Sequence, residues 1–187
     1  MKRNVYDFDK TICRGDSTVA FCLFCLMRRP AVIIDYARAL PYFVRMARGK
    51  ITKTEAKAVL YRFIRRLGDS EALVRDFWRR NRWRIKGWYL MQKDETDLII
   101  SASPEFTLRP ITDALNVTLI GSLVDPKNGD TLSPNCHGEE KVRRMRERFP
   151  DTEIERFYSD AYSDAPLARL AKEAYLVRGN RITTFFR

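Results

Sequence analysis

The sequence predicts an α/β fold, a three-layer αβα parallel sheet with a small helical cap inserted after the first strand. Three observations carry that reading. Apolar runs of strand length alternate with helical stretches through most of the chain, as in a parallel sheet. A long strand-free segment separates the first of these runs from the second. The chain of 187 residues, 45% of them hydrophobic, is long enough for one core plus an insertion.

The strand-length runs are Val5 to Phe8, Leu98 to Ile100, Val117 to Ile120, Ile154 to Tyr158 and Ala174 to Val177, with helical stretches after the second and fourth. Ser103-Pro104-Glu105 reads as an N-cap serine with proline in the first turn, so a helix is expected directly after a strand ending at Ser101. Asn128-Gly129, between Leu123-Val124 and Thr131-Leu132, reads as a β-hairpin turn. Gly179-Asn180 predicts a second hairpin closing on Ile182 to Phe186. Between residues 17 and 94 no strand is expected. Thr52-x-x-Glu55 is a capping box, Gly68 a helix stop, and Pro30 and Pro41 divide the earlier stretch into helices. Residues 1–16 and 95–187 therefore form the expected core domain, and 17–94 the cap. The insertion leaves from the carboxyl end of the first strand, which places it over the edge where open α/β sheets bind ligands.

Charge is unevenly placed. Residues 17–94 hold 18 Lys and Arg against 6 Asp and Glu, a net of +12, while the remainder holds 17 against 18. The same segment contains all three tryptophans, Trp78, Trp83 and Trp88. Its plainest reading is a set of helices with aromatic residues inward and Arg and Lys in water. Steering of anionic substrates and contact with an anionic membrane come next. No nucleic acid is expected, because no recognition motif is present. Phe21 to Met27 and Ala31 to Ile34 are too short to span a bilayer, being interrupted by Arg28-Arg29-Pro30. Met1-Lys2-Arg3-Asn4 runs straight into the first strand without a signal-peptide pattern, so the expected location is the cytoplasm or the inner face of the membrane. Cys13, Cys22, Cys25 and Cys136 lack disulfide-framework spacing and read as packed thiols. Cys136 beside His137, the only histidine, falls short of a zinc site. Arg187 and the Arg143-Arg144-x-Arg146 run read as solvated helix surface.

The chemistry lies in Asp7 and Asp9, one residue apart at the end of the first strand. Neither carboxylate is stable inside the fold unpaired, so the pair calls for a cation, a proton or a phosphate nearby. Ser101 ends the second strand, Lys141 opens a helix, and Asp160 and Asp164 follow the strand Ile154 to Tyr158, all on the same edge. An aspartate can attack a phosphoryl group and form an aspartyl phosphate, and Asp7 takes that role. Asp7 and Asp160 would hold Mg²⁺, which relieves the repulsion between a carboxylate and phosphate oxygens. Asp9 is placed as the general acid and base. Ser101 and Lys141 would bind the phosphoryl oxygens, and Asp164 would orient Lys141 or a metal-bound water.

Asp7-x-Asp9-x-Thr11, Ser101, Lys141 and Asp160-x-x-x-Asp164, in that order, resemble the four motifs of the haloacid dehalogenase superfamily. The insertion after the first motif resembles the small cap of its phosphoserine phosphatase-like subfamily. The resemblance implies a phosphatase working through an aspartyl phosphate, with Mg²⁺ on Asp7, the main-chain carbonyl of Asp9, and Asp160. It also implies that Thr11 braces the loop and belongs with Ser101 and Lys141 to the phosphate-binding set, and it sets Asp16 where relatives meet the substrate ammonium. The expected substrate is a small phosphate ester such as phosphoserine. Two departures from that subfamily stand out, Ser101-Ala102-Ser103 in place of Ser-Gly-Gly and Ser163-Asp164 in place of Asn-Asp. Ser159-Asp160 resembles members acting on phosphatidylglycerophosphate, which gives a phospholipid headgroup phosphatase as the alternative. A non-catalytic binding module using the basic cap is a reading from another class.

Overall fold

The computed structural model describes residues 1–186; Arg187 lies outside them. Among the described residues six strands form one sheet in the order β3-β2-β1-β4-β5-β6. These are β1 (Lys2–Tyr6), β2 (Leu98–Pro104), β3 (Thr118–Ser122), β4 (Glu153–Ser159), β5 (Ala171–Arg178) and β6 (Arg181–Thr184). The first five run parallel, and β6 returns antiparallel from the Gly179-Asn180 turn. The sheet and its flanking helices match the expected α/β class. β1 is the central strand, which is why Val5 and Tyr6 are fully buried.

Among the described residues eight α-helices accompany the strands: α1 (Ser17–Arg28), α2 (Ile33–Ala47), α3 (Lys53–Tyr61), α4 (Ser70–Asn81), α5 (Gly87–Gln92), α6 (Glu105–Leu115), α7 (Glu139–Arg148) and α8 (Ala165–Ala168). The first five lie between β1 and β2. Asp16 caps α1 by accepting from the Val19 N–H, Asp69 caps α4 through Ala72, and Thr52 with Glu55 closes the expected capping box on α3. One hydrophobic cluster joins the sheet to these helices. Tyr6, Phe8, Ile12 and Tyr158 share it with Phe21, Phe63, Phe77 and Trp78. Tyr6, Tyr158 and Tyr175 are register partners on neighbouring strands and stack at 4.9 Å, with Trp88 tilted over the first two. Cross-strand aromatic pairs of this kind add about 0.5–1.5 kcal/mol each beyond their burial.

Several local expectations need correction. Pro41 lies within α2 rather than ending a helix, and the chain continues helical around it. Ser103 does not cap α6: β2 runs on to Pro104, and the serine hydroxyl is engaged elsewhere. The Asn128-Gly129 turn joins a single bridge, Val124 to Thr131, rather than two full strands. Its work is packing: a Cβ on Gly129 would fall 2.0 Å from the Tyr61 carbonyl oxygen. Arg65 donates to the Asn128 carbonyl at 2.9 Å and pairs with Asp130. Arg144 is buried, not solvated. Its guanidinium donates to the Gly121 and Pro134 carbonyls at 2.6 Å and to Glu140 at 2.8 Å, so its charge is used to hold the loop before α7.

Candidate active site

The site grows from the end of β1. Asp7 follows the last strand residue, and its N–H still donates to the Tyr158 carbonyl at 2.9 Å. The chain then turns tightly. Lys10 has φ 58° and Gly15 φ 79°, and the Lys10 N–H donates to the Gly15 carbonyl at 2.9 Å. A left-handed residue other than glycine is uncommon, and bonds from outside the loop hold this one. The buried Lys86 ammonium donates at 2.6 Å to both the Lys10 and Gly179 carbonyls.

This loop brings the sequence-predicted residues together. Lys141, only 1% exposed, donates to Asp7 Oδ1 at 2.7 Å and to Asp164 Oδ2 at 2.8 Å. Ser159 donates to the same Asp164 oxygen at 2.7 Å. Thr11 donates to Asp7 Oδ2 at 3.0 Å, and its hydroxyl accepts the Asp160 N–H at 2.9 Å. One threonine thus ties the first strand's loop to the fourth's. Asp7, Asp9, Ser101, Lys141, Asp160 and Asp164 all line a cavity of about 340 Å³. Asp16 reaches the same cavity, although one of its oxygens is committed to capping α1.

Burial dominates the electrostatics. It pushes the Asp7 carboxyl up, the nearby Asp164 and Asp9 charges add to the push, and Lys141 opposes it. Burial alone would lower Lys141, but Asp7 and Asp164 more than reverse that and hold it charged. A 2.7 Å contact between these groups describes a carboxylate and an ammonium, and we assign both as ionised. Asp9 is also raised, first by burial and then by the Asp16 charge. Its Oδ1 accepts the Ser17 N–H at 2.6 Å and its Oδ2 contacts the Ser103 hydroxyl at 2.5 Å. That hydroxyl is also 2.9 Å from Thr18 Oγ1. A hydroxyl can donate to a carboxylate and accept from a carboxylic acid, so Ser103 can stay bonded to Asp9 in either protonation state.

Ser103 and Lys57 line the cavity while Asn135 and Lys86 brace its walls, and the sequence marks none of the four as a site residue. Ser103 was legible as a second strand-end serine, but its proline neighbour favoured the cap reading. Lys57 comes from α3, where sequence marks only a surface lysine. Its ammonium donates to the Ala102 carbonyl at 2.8 Å and to Asn135 Oδ1 at 3.0 Å, beside the end of β2. Burial, with Lys53 next to it, pushes its pKa down to about 8.

The donor set suits a hard divalent cation. Asp7 and Asp160 offer carboxylate oxygens in one cavity, and burial disfavours the charge of both in the protein alone. Among the described residues, no three Asp, Glu, His or Cys side chains are grouped so as to enclose an ion. Mg²⁺ does not require such a cage, since it keeps several waters and completes its shell with substrate phosphate.

No curated protein matches the chain. A structure of unknown function from Bordetella pertussis Tohama I superposes with a TM-score of 0.74 at 22% identity, covering 92% of this chain and 88% of that one. A phosphoserine phosphohydrolase-like protein from Francisella tularensis gives 0.57 at 15% identity, covering 93% and 86%. A probable phosphoserine phosphatase from Vibrio cholerae gives 0.59 at 10% identity, covering 93% and 55%. At these identities the likeness is one of fold. The family model described as haloacid dehalogenase-like hydrolase matches residues 5–169, nearly the whole chain and every carboxylate of the cavity, and the protein belongs to that family.

Proposed function

We propose that the protein is a Mg²⁺-dependent phosphomonoester hydrolase that works through an aspartyl phosphate on Asp7. The observation that carries this reading is the Asp7–Lys141–Asp164 chain, a nucleophile-grade carboxylate fixed against a buried ammonium that is itself oriented by a second acid. Residues 1–16 and 95–187 supply this core, and 17–94 act as its cap.

The ester phosphate enters the cavity over Asp7, with its oxygens facing the Lys141 ammonium and the Ser101 hydroxyl. Asp7 and Asp160, with the main-chain carbonyl of Asp9, would hold the metal. When bound, it supplies charge neutralisation that lets a carboxylate approach a phosphate dianion. Asp7 forms a bond to phosphorus as the bond to the leaving oxygen breaks. Asp9 gives that oxygen a proton and afterwards takes one from the water that hydrolyses the aspartyl phosphate. The free alcohol and inorganic phosphate are the products. Raised by burial and held between Ser17 and Ser103, Asp9 is suited to carrying that proton.

Around the opening, Val19, Phe43 and Leu60 supply apolar contacts and Lys53 and Lys57 positive charge. Phosphoserine, the substrate the resemblance offers, would set its ammonium against Asp16. The apolar residues favour a second reading, a phospholipid headgroup phosphate. Release of phosphate from para-nitrophenyl phosphate with Mg²⁺, and its loss in Asp7→Asn, tests the reaction. Undiminished turnover in a clean Asp7→Asn preparation would overturn the nucleophile assignment.

A further inference from the structure

Two of the helices that reach the cavity opening, α1 and α2, carry apolar side chains on faces turned away from the core. On α1, Val19, Leu23 and Met27 are spaced one turn apart and are 55%, 57% and 74% exposed. On α2, Ile33, Leu40 and Val44 are 51%, 65% and 42% exposed, with Ala37 and Ala47 on the same helical face. The opposite face of α2 packs inward through Asp35 and Ala39. Scattered exposed apolar residues are ordinary, whereas continuous stripes on two helices mark an interaction surface.

Charge identifies what covers them. Residues 28–53 hold seven basic residues against one acid, Asp35, which is itself paired with Arg66. Among the described residues, Arg29, Arg45, Arg48 and Lys50 form no salt bridge, although the Arg45 charge reaches Glu55. A second copy of the chain would bring these like charges face to face. A bilayer of anionic lipid complements both features, since the apolar stripe enters the acyl boundary while each nearby cation gains about fivefold in affinity. Among the described residues no helix is long and apolar enough to cross a membrane, so α2 would lie along the surface. The stripes also lead to the chemistry. Val19 belongs to the α1 stripe and lines the catalytic cavity, as does Phe43, next to Val44.

We infer that α1 and α2 dock on an anionic bilayer and that the substrate is a phosphate monoester carried on a lipid. Its phosphate enters the cavity while its chains remain in the bilayer, so product lipid is left in place as the free alcohol. This inference rests on the phosphatase reading for its chemistry but not for its docking, and the two fail separately.

The test uses the full chain and phosphatidylcholine vesicles with and without phosphatidylglycerol at low salt. Sedimentation with the anionic vesicles is expected to be stronger by at least about tenfold. Leu40→Asp with Val44→Asp, and separately Arg45→Glu with Arg48→Glu, should each lose that gain while para-nitrophenyl phosphate turnover stays within about twofold of the parent. With Mg²⁺, kcat/KM for phosphatidic acid in the anionic vesicles should exceed that for glycerol 3-phosphate in solution by at least about tenfold, and the two double variants should remove the difference. Absence of binding to either vesicle, equal binding to both, or equal turnover of the two esters overturns the inference. So does a dimer in sedimentation velocity that Leu40→Asp dissociates, which would assign the stripe to a second copy. Vesicle binding without any phosphate release, para-nitrophenyl phosphate included, would leave docking standing and remove the phosphatase reading instead.

Discussion

The floor and the opening of the catalytic cavity are built on different physics. At the floor, Asp7, Lys141 and Asp164 are all less than a tenth exposed and are locked to one another by bonds of 2.7–2.8 Å. At the opening, the insertion contributes half-buried or exposed residues, and Lys57 is held there by the neutral oxygens of Ala102 and Asn135 rather than by a carboxylate. Buried charges tolerate little displacement, because an uncompensated one costs several kcal/mol. Exposed cations and apolar side chains can be exchanged at small cost. On the proposed function, the difference assigns the reaction to the floor and the choice of substrate to the opening.

That contrast can be broken most forcefully at its floor. Asp7→Asn should lower kcat by at least about 10³-fold while the melting temperature holds or rises, read by phosphate release and calorimetry. Chelation with EDTA should abolish turnover and added Mg²⁺ restore it; turnover that persists after dialysis against chelator would refute the metal assignment. Lys141→Met leaves two buried carboxylates without their cation, so a stability loss of about 3–5 kcal/mol is expected alongside lost activity, measured by urea unfolding.

At the opening the effects should be smaller and should fall on KM. Lys57 is cationic below about pH 8 and neutral above it, because burial lowers its pKa. Affinity for an anionic ester should therefore weaken as pH rises through about 8, and Lys57→Met should weaken it at pH 7 and flatten that dependence. A kcat effect with unchanged KM would move Lys57 to the floor. Smallest of all, Thr52→Ala removes the α3 cap and should cost about 1 kcal/mol of stability with activity retained.

The floor was far more legible in sequence than the opening. Asp7, Asp9, Ser101, Lys141 and Asp160 sit at strand ends or helix starts, where periodicity and order along the chain place them without coordinates. The strands were legible too, down to the Gly179-Asn180 turn. What sequence could not supply was side-chain partnership across distant segments. Ser103 looked like a cap because Pro104 follows it, yet its hydroxyl meets Asp9, 94 residues earlier. Lys57 meets Asn135 across 78 residues. Arg144 sat in a run of arginines whose neighbours Arg143 and Arg146 are exposed, and only the third dimension separates it from them. Pro41 failed as a helix boundary because its local signal was outweighed by the packing of α2 on the rest of the insertion.

The hydrophobic cluster that runs from Phe8 and Tyr158 into Phe21, Phe77 and Trp78 has a consequence for engineering. Exchanging the insertion for one from a relative would cut through a shared interior, leaving Phe8 and Ile12 facing side chains of the wrong shape. A graft that carries the loop 7–16 and the Gly129 turn along with the foreign helices would keep those seams matched. Transplanted specificity in this architecture should therefore travel with pieces of the sheet's own edge, rather than with the helices alone.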